Sequence, residues 1–250
     1  MEIIRNKLHT RIQIDQSVII VILVVINLQS KEVLVLKRFI RFVCITLVFI
    51  SLCLSLPVNS NAKEKSKAYV YIGDSRTVGM NNVVEMDKRK DTFVIAKSGM
   101  GYAWLVDTAI PELEKIQKNN NYDRYIIIFN LGVNDLGNID KYIEIVPKLQ
   151  NYGELYYVSI NPTVDAVGGI QCKSIEKFNN AIIAEEKHIN YVNSYSYLKK
   201  IGYYAEDGMH YDEETYINLY YYIMSYICSW EYMQEHSSSE VTRYDVENLL

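Results

Sequence analysis

Ala68-Tyr69-Val70-Tyr71-Ile72-Gly73-Asp74-Ser75-Arg76-Thr77 is the stretch on which the fold turns. Its first five residues form an unbroken apolar and aromatic run, short enough for a strand and lacking the polar alternation of a half-exposed one. It reads as a buried strand. Gly73-Asp74-Ser75 ends the run, and a helical pattern follows near residues 78–88. Ser75 is therefore expected at a strand-to-helix turn. There the unpaired amides and the positive end of the helix dipole favour a developing negative charge.

The same alternation continues down the chain. Strands are predicted at residues 68–72, 92–96, 124–131, 155–160 and 189–192, and helices near 78–88, 102–118, 140–150 and 174–188. Pro111 is expected to break or kink the second helix, because proline lacks the N–H that the preceding turn needs. The last helix is the clearest. Asp212 is placed to cap it, and Ile217, Tyr220, Met224 and Ile227 recur on one face. Strands alternating with helices predict an α/β fold, a parallel sheet covered on both faces. No internal repeat interrupts the pattern.

Four short motifs stand where predicted strands leave the sheet or helices begin: Gly73-Asp74-Ser75, Ser98-Gly99-Met100-Gly101, Gly132-Val133-Asn134-Asp135 and Asp207-Gly208-Met209-His210. Read chemically, they supply a nucleophile (Ser75), two oxyanion donors besides its own amide, and a base with its own carboxylate (His210, Asp207). His210 follows Asp207 by three residues, so one turn brings the carboxylate against the imidazole, fixing its tautomer and stabilising the imidazolium. Asn134 has a side-chain amide to aim at the same point. Gly99 or Gly101 brings a bare backbone amide close to a substrate. Taken singly, Ser75 reads as a helix cap, Asn134 and Asp207-Gly208 as turn residues, and His210 as a surface histidine. Four such motifs in order make a site. Asp74 and Asp135 read as structural, holding their loops by side-chain to backbone bonds. The Gly-x-Ser-x-Gly elbow of α/β-hydrolases is excluded, because Thr77 stands where its second glycine belongs.

On these motifs the chain resembles the SGNH hydrolases, the group of the GDSL esterases and lipases, over roughly residues 67–230. The resemblance implies a three-layer α/β/α fold with a flavodoxin-like, five-stranded parallel sheet. It also implies Ser75, Asp207 and His210 as catalytic residues, and an oxyanion hole from Ser75, Gly99 and Asn134, with Gly101 the second choice for the glycine. Neither cofactor nor metal is implied. Arg76 stands where the family's name-giving leucine would be, a position that carries no chemistry.

The first 62 residues are of another kind. The aliphatic run 18–26 is too short to span a bilayer. Lys37-Arg38-Phe39-Ile40-Arg41 leads into an apolar stretch, 42–56, and then Pro57-Val58-Asn59-Ser60-Asn61-Ala62, with small residues first and third before Lys63. A basic start, an apolar middle and a small-residue exit read as a secretory signal peptide, or as a membrane anchor if uncleaved. Bulky Leu52 argues against a lipoprotein site at Cys53. Leu36-Lys37-Arg38 resembles an ordinary signal start, so residues 1–35 are expected to be an over-extension of the gene. Residues 63–230 are read as the hydrolase domain and 231–250 as a polar tail.

Residues 1–62 hold seven of the 26 basic and three of the 30 acidic residues, leaving 19 and 27, a net charge of −8. That charge argues against nucleic acid and an anionic membrane surface as main partners. Cys172 and Cys228 remain after the signal, without metal-ligand spacing. Between them stand two readings, an extracellular disulfide and a Cys228 that belongs to the apolar stripe of its helix. His188 and His236 lack a companion acid and are expected to face solvent. Tyr102, Trp104 and Tyr211 flank the motifs as aromatic platforms for a sugar ring, with core packing the favoured reading for Trp104. The expectation is an exported esterase acting on a small acyl group, such as acetate on a polysaccharide. An acyltransferase and a non-catalytic binding module on the same fold are the alternatives.

Overall fold

The computed structural model describes residues 66–250, apart from 165–167, 186–188, 238–239 and 248–249. The signal or anchor in residues 1–62, the cleavage point before Lys63, and His188 lie outside the described residues.

Five strands, β1 (Lys67–Gly73), β2 (Thr92–Ala96), β3 (Arg124–Asn130), β4 (Glu154–Val158) and β5 (Asn190–Val192), form one sheet in the order β2-β1-β3-β4-β5. Every pairing is parallel. Successive side chains point to opposite faces. One face therefore carries Val70, Ile72, Ile127, Phe129, Leu155 and Tyr157, and the other carries Tyr71, Ile126, Ile128, Tyr156 and Val158. Both sets are buried, which is why the strands read as continuous apolar runs.

Among the described residues, helices cover both faces. On the first lie α2 (Ile110–Asn119), α3 (Ile139–Leu149) and α4 (Cys172–Glu185), with Leu113, Tyr142, Val146, Phe178 and Ile182 buried against the sheet. On the second lie α1 (Ser75–Val84), α5 (Ser194–Ile201), α6 (Glu213–His236) and α7 (Arg243–Glu247), contributing Met80, Leu198, Leu219, Ile223 and Val246. The result is the expected three-layer α/β/α fold. Among the described residues no helix is long and apolar enough to cross a membrane.

Strand order positions the site. From β1 the chain moves to β2 on one side, then returns to β3 on the other. The carboxyl ends of β1 and β3 therefore flank a topological switch point, where open α/β sheets leave a crevice. Ser75 leaves one strand there and Asn134 the other.

The structure departs from the sequence reading in four places. The break expected at Pro111 takes the form of a π-helical turn, Leu105–Ala109, between a short helical turn at Tyr102–Trp104 and α2. Pro111 has no N–H for the turn before it, and the helix widens there. Helix α5, unanticipated, is capped by Asn193, whose side chain accepts from the Ser196 amide at 3.3 Å. The polar tail is corrected. Helix α6 runs on to His236, Glu231 binds Lys67 at 2.8 Å and Arg124 at 3.2 Å, and Val241 and Val246 are buried in the second core. The cysteine reading changes as well. Cys172 and Cys228 are not joined by a disulfide, and Cys228 is exposed on α6 rather than in its apolar stripe.

Candidate active site

Ser75 is the first residue of α1, directly after β1. Asp74 caps the helix by accepting from the Arg76 amide at 3.0 Å. A residue at this position keeps its own backbone N–H among the orphan donors of the first turn. His210 arrives from the loop between α5 and α6. Asp207 organises that loop: one oxygen accepts from the Met209 amide at 2.9 Å and the His210 amide at 2.7 Å, and the other lies 2.6 Å from His210 Nδ1. The His210 amide, then the ring and the Met209 amide, hold the Asp207 carboxyl well below the usual carboxylate range. The ionised carboxylate only accepts, so the ring proton sits on Nδ1 and the lone pair on Nε2. Nε2 stands 2.8 Å from Ser75 Oγ, the partner 135 residues away. A base is thus in place against a hydroxyl.

Asn134 lies on the 3₁₀ turn Val133–Asn138 that follows β3. Its Nδ2 donates to the Met100 carbonyl at 2.9 Å, which orients the carboxamide and leaves its second N–H available. Asp135 knots the same two loops: it accepts from the Tyr102 amide at 2.7 Å, the Asn138 side chain at 3.1 Å and the Tyr142 hydroxyl at 2.8 Å. Its structural role is thereby plain. The two glycines of Ser98–Gly101 divide accordingly. A Cβ on Gly101 would lie 2.5 Å from the Asp135 carboxyl carbon, so Gly101 is required by the close approach of the loops. Gly99 has open space around it and a φ of +74°, a left-handed turn at the exposed rim.

The sequence reading noted Arg76 only as a departure from the family pattern and gave it no role. Its side chain is among the largest fully buried ones, at 2% exposure. Nε donates to the Met209 carbonyl at 3.2 Å, Nη1 to Asn161 at 2.6 Å and Nη2 to Pro162 at 3.3 Å, while the guanidinium sits 5.2 Å above the Tyr211 ring. Burial pushes the neighbouring Asp74 carboxyl up to about 6, with the Arg76 charge opposing the rise. The signal available in the sequence was an arginine where an aliphatic residue would be ordinary.

Tyr211 is corrected from a sugar platform to a core residue: it is 6% exposed, and its hydroxyl donates to the Pro162 carbonyl. Trp104 packs on the first core, as does Tyr102, whose ring meets Tyr142 edge-on at 5.8 Å. His236 is exposed and stacks on Tyr232. Beside Asn134 opens a cleft of about 470 Å³ lined by Val133, Leu136, Ile170, Ser174 and Met209.

This architecture is one that solved structures share. The chain has the SGNH hydrolase fold, the fold of the GDSL-type esterases and lipases. A GDSL-like lipase from Bacteroides thetaiotaomicron has a similar structure, with a TM-score of 0.50 and 19% identity, covering 72% of this chain and 94% of that one. So does a candidate platelet activating factor from Streptococcus pneumonia, with a TM-score of 0.51 and 18% identity over 67% of this chain and 86% of that one. No protein-family model and no curated protein matches the sequence.

Proposed function

We propose that this protein is a serine esterase that hydrolyses a carboxylic ester through an acyl-Ser75 intermediate. The observation that carries the reading is the continuous chain from Asp207 through His210 to Ser75, at 2.6 and 2.8 Å. In the first step Ser75 Oγ attacks the ester carbonyl as His210 Nε2 takes the hydroxyl proton, and Asp207 stabilises the imidazolium. The carbonyl oxygen becomes an oxyanion, for which the Ser75 amide, the Gly99 amide and the Asn134 side chain are the donors. Collapse returns the proton to the leaving alcohol. Water, deprotonated by His210, then releases the acid and restores the serine.

Exposure supports hydrolysis over acyl transfer. The His210 and Asp207 side chains are 44% and 58% exposed, so water reaches the base freely. An open rim also suits an ester carried on a bulky polymer, and the cleft beside Asn134 gives apolar walls to a small acyl group. We therefore assign O-acetyl or similar short esters on an extracellular polysaccharide as the substrate class. The N-terminal leader supports export, and a secreted form starting at or near Lys63 is the expected product.

An aryl-ester series from acetate upward tests the activity, and an organophosphonate probe tests the nucleophile. Labelling at Ser75 alone, lost together with hydrolysis in Ser75→Ala, is the expected result. Undiminished hydrolysis by Ser75→Ala overturns the reading. Mass-spectrometric sequencing of the secreted form tests export, and a retained 42–56 segment in the membrane fraction identifies an anchor instead.

A further inference from the structure

Asp207 and His210 form a self-contained unit. Three residues apart, they are joined by one backbone bond and one ring bond, and the Met209 amide between them also donates to Asp207, all within a single loop. Nothing in that unit places it against Ser75, which belongs to another element. Contact between them needs a tie, and the residue after the nucleophile provides one.

Arg76 follows Ser75 on α1 and donates to Met209 O, the carbonyl immediately before His210. Its remaining bonds go to Asn161 O and Pro162 O in the loop after β4, and that loop is itself bound to the His210 loop, where the Val164 amide donates to Gly208 O at 2.8 Å. The tie is thus made twice, once directly and once through the β4 loop. Tyr211, which follows His210, closes the circuit by stacking on the guanidinium and donating to Pro162 O. A buried cation is costly without bonds for its donors. A planar fork facing three carbonyls of two loops fits arginine geometry, and a lysine point charge cannot reach all three.

Resting on the esterase reading, we infer that Arg76 is a positioning residue that clamps the loop bearing Asp207 and His210 to the nucleophile helix, so that the Ser75–His210 contact is set by it. It touches no substrate and acts through His210.

The test compares the full-length wild type with Arg76→Lys and Arg76→Met. Three readouts are taken: phosphonylation rate at Ser75, kcat and KM on an aryl ester, and the imidazole nitrogen NMR shifts of His210, assigned with His210→Ala. A displacement near 1 Å at a reacting group costs about 10²-fold. For Arg76→Met, the expected result is a drop of about that size in labelling and kcat, with KM within a few-fold and the Nδ1–H tautomer retained. Arg76→Lys, which keeps the charge, recovers part of the rate and serves if the methionine variant does not fold. Normal labelling in a folded variant overturns the inference. So does joint loss of labelling and of the His210 tautomer, which identifies a general folding role. A wild type that neither takes the probe nor hydrolyses esters removes the esterase reading first, and the inference with it.

Discussion

Asn134 donates its side-chain amide to the backbone carbonyl of Met100 at 2.9 Å, across a gap of 34 residues. The bond lies at the exposed rim and joins the two loops that carry Gly99 and Asn134, the oxyanion donors of the proposed esterase besides Ser75. It gives the carboxamide a fixed direction before any substrate arrives, the preorganisation that makes such donors effective.

Removing that donor should slow the chemistry without weakening binding. An oxyanion donor bonds more strongly to the tetrahedral intermediate than to the ground-state carbonyl. Asn134→Ala is expected to lower kcat by about 10²–10³ with KM within a few-fold. Because Asn134 is exposed, the melting temperature should hardly move. Measuring kcat, KM and Tm on one preparation checks this, and a stable variant with normal kcat removes Asn134 from the site.

The Asp207→Asn variant isolates the tautomer. Its amide oxygen still accepts from the Met209 and His210 backbones, so the loop should keep its shape. The amide nitrogen then faces Nδ1 as a donor, driving the ring proton to Nε2 and removing the base. A loss of kcat of about 10⁴, the effect of the equivalent exchange in the serine-protease triad, is expected with little change in folding. The exposed Asp207–His210 contact contributes little to stability. Denaturation curves beside kinetics decide the case, and activity near that of the wild type rejects the assigned tautomer.

Asp74 links stability to pH. Its folded pKa, about 6, lies above the ordinary 3.8, so between those values the folded state binds more protons than the unfolded one. The contribution of this group is therefore most favourable below the ordinary value and declines as pH rises through about 6. Asp74→Asn keeps the capping oxygen and abolishes the titration. The stability of the wild type relative to the variant should fall by up to about 3 kcal/mol across that window and level off above it. Urea unfolding of both proteins at several pH values measures the difference, and parallel curves refute it.

Gly101 and Gly99 should respond differently to alanine. At Gly101 the new methyl meets the Asp135 carboxyl at 2.5 Å, and that carboxylate is already engaged by three donors. Overpacking there should cost about 1–3 kcal/mol and disturb the adjacent Asn134. At Gly99 there is space, and the cost is the left-handed backbone alone, about 1 kcal/mol. Chemical denaturation ranks the two, and a larger loss at Gly99 contradicts the division of roles.

Much of the fold was legible because the determining signals are local. Both faces of the sheet are buried, so each strand announces itself as an apolar run, and the alternation with helices implies parallel pairing. Asp212 sits one residue before α6 and bonds the Thr215 amide at 3.0 Å, a cap visible in the sequence. Segments 194–201 and 241–247 were less legible. Both are short, with Leu198 and Val246 as fully buried anchors, and the partner surface makes so few residues sufficient.

The site divides in the same way. Sequence alone determined the chemical parts and their immediate settings: a serine at a strand exit, an asparagine after the next central strand, and a carboxylate three residues before a histidine. The serine turn and the Asp207–His210 pair are held within a few residues, so spacing is enough for them, whereas the direction of Asn134 is set from 34 residues away. Tertiary structure decided what spans long separations. It brought His210 to Ser75, set Gly101 against Asp135, and turned Arg76 from an ordinary charged helix residue into a buried fork between two loops. Burial of a charge depends on which carbonyls surround it. Those carbonyls come from Met209, Asn161 and Pro162, at least 85 residues away in the chain, and converge only when the sheet is complete.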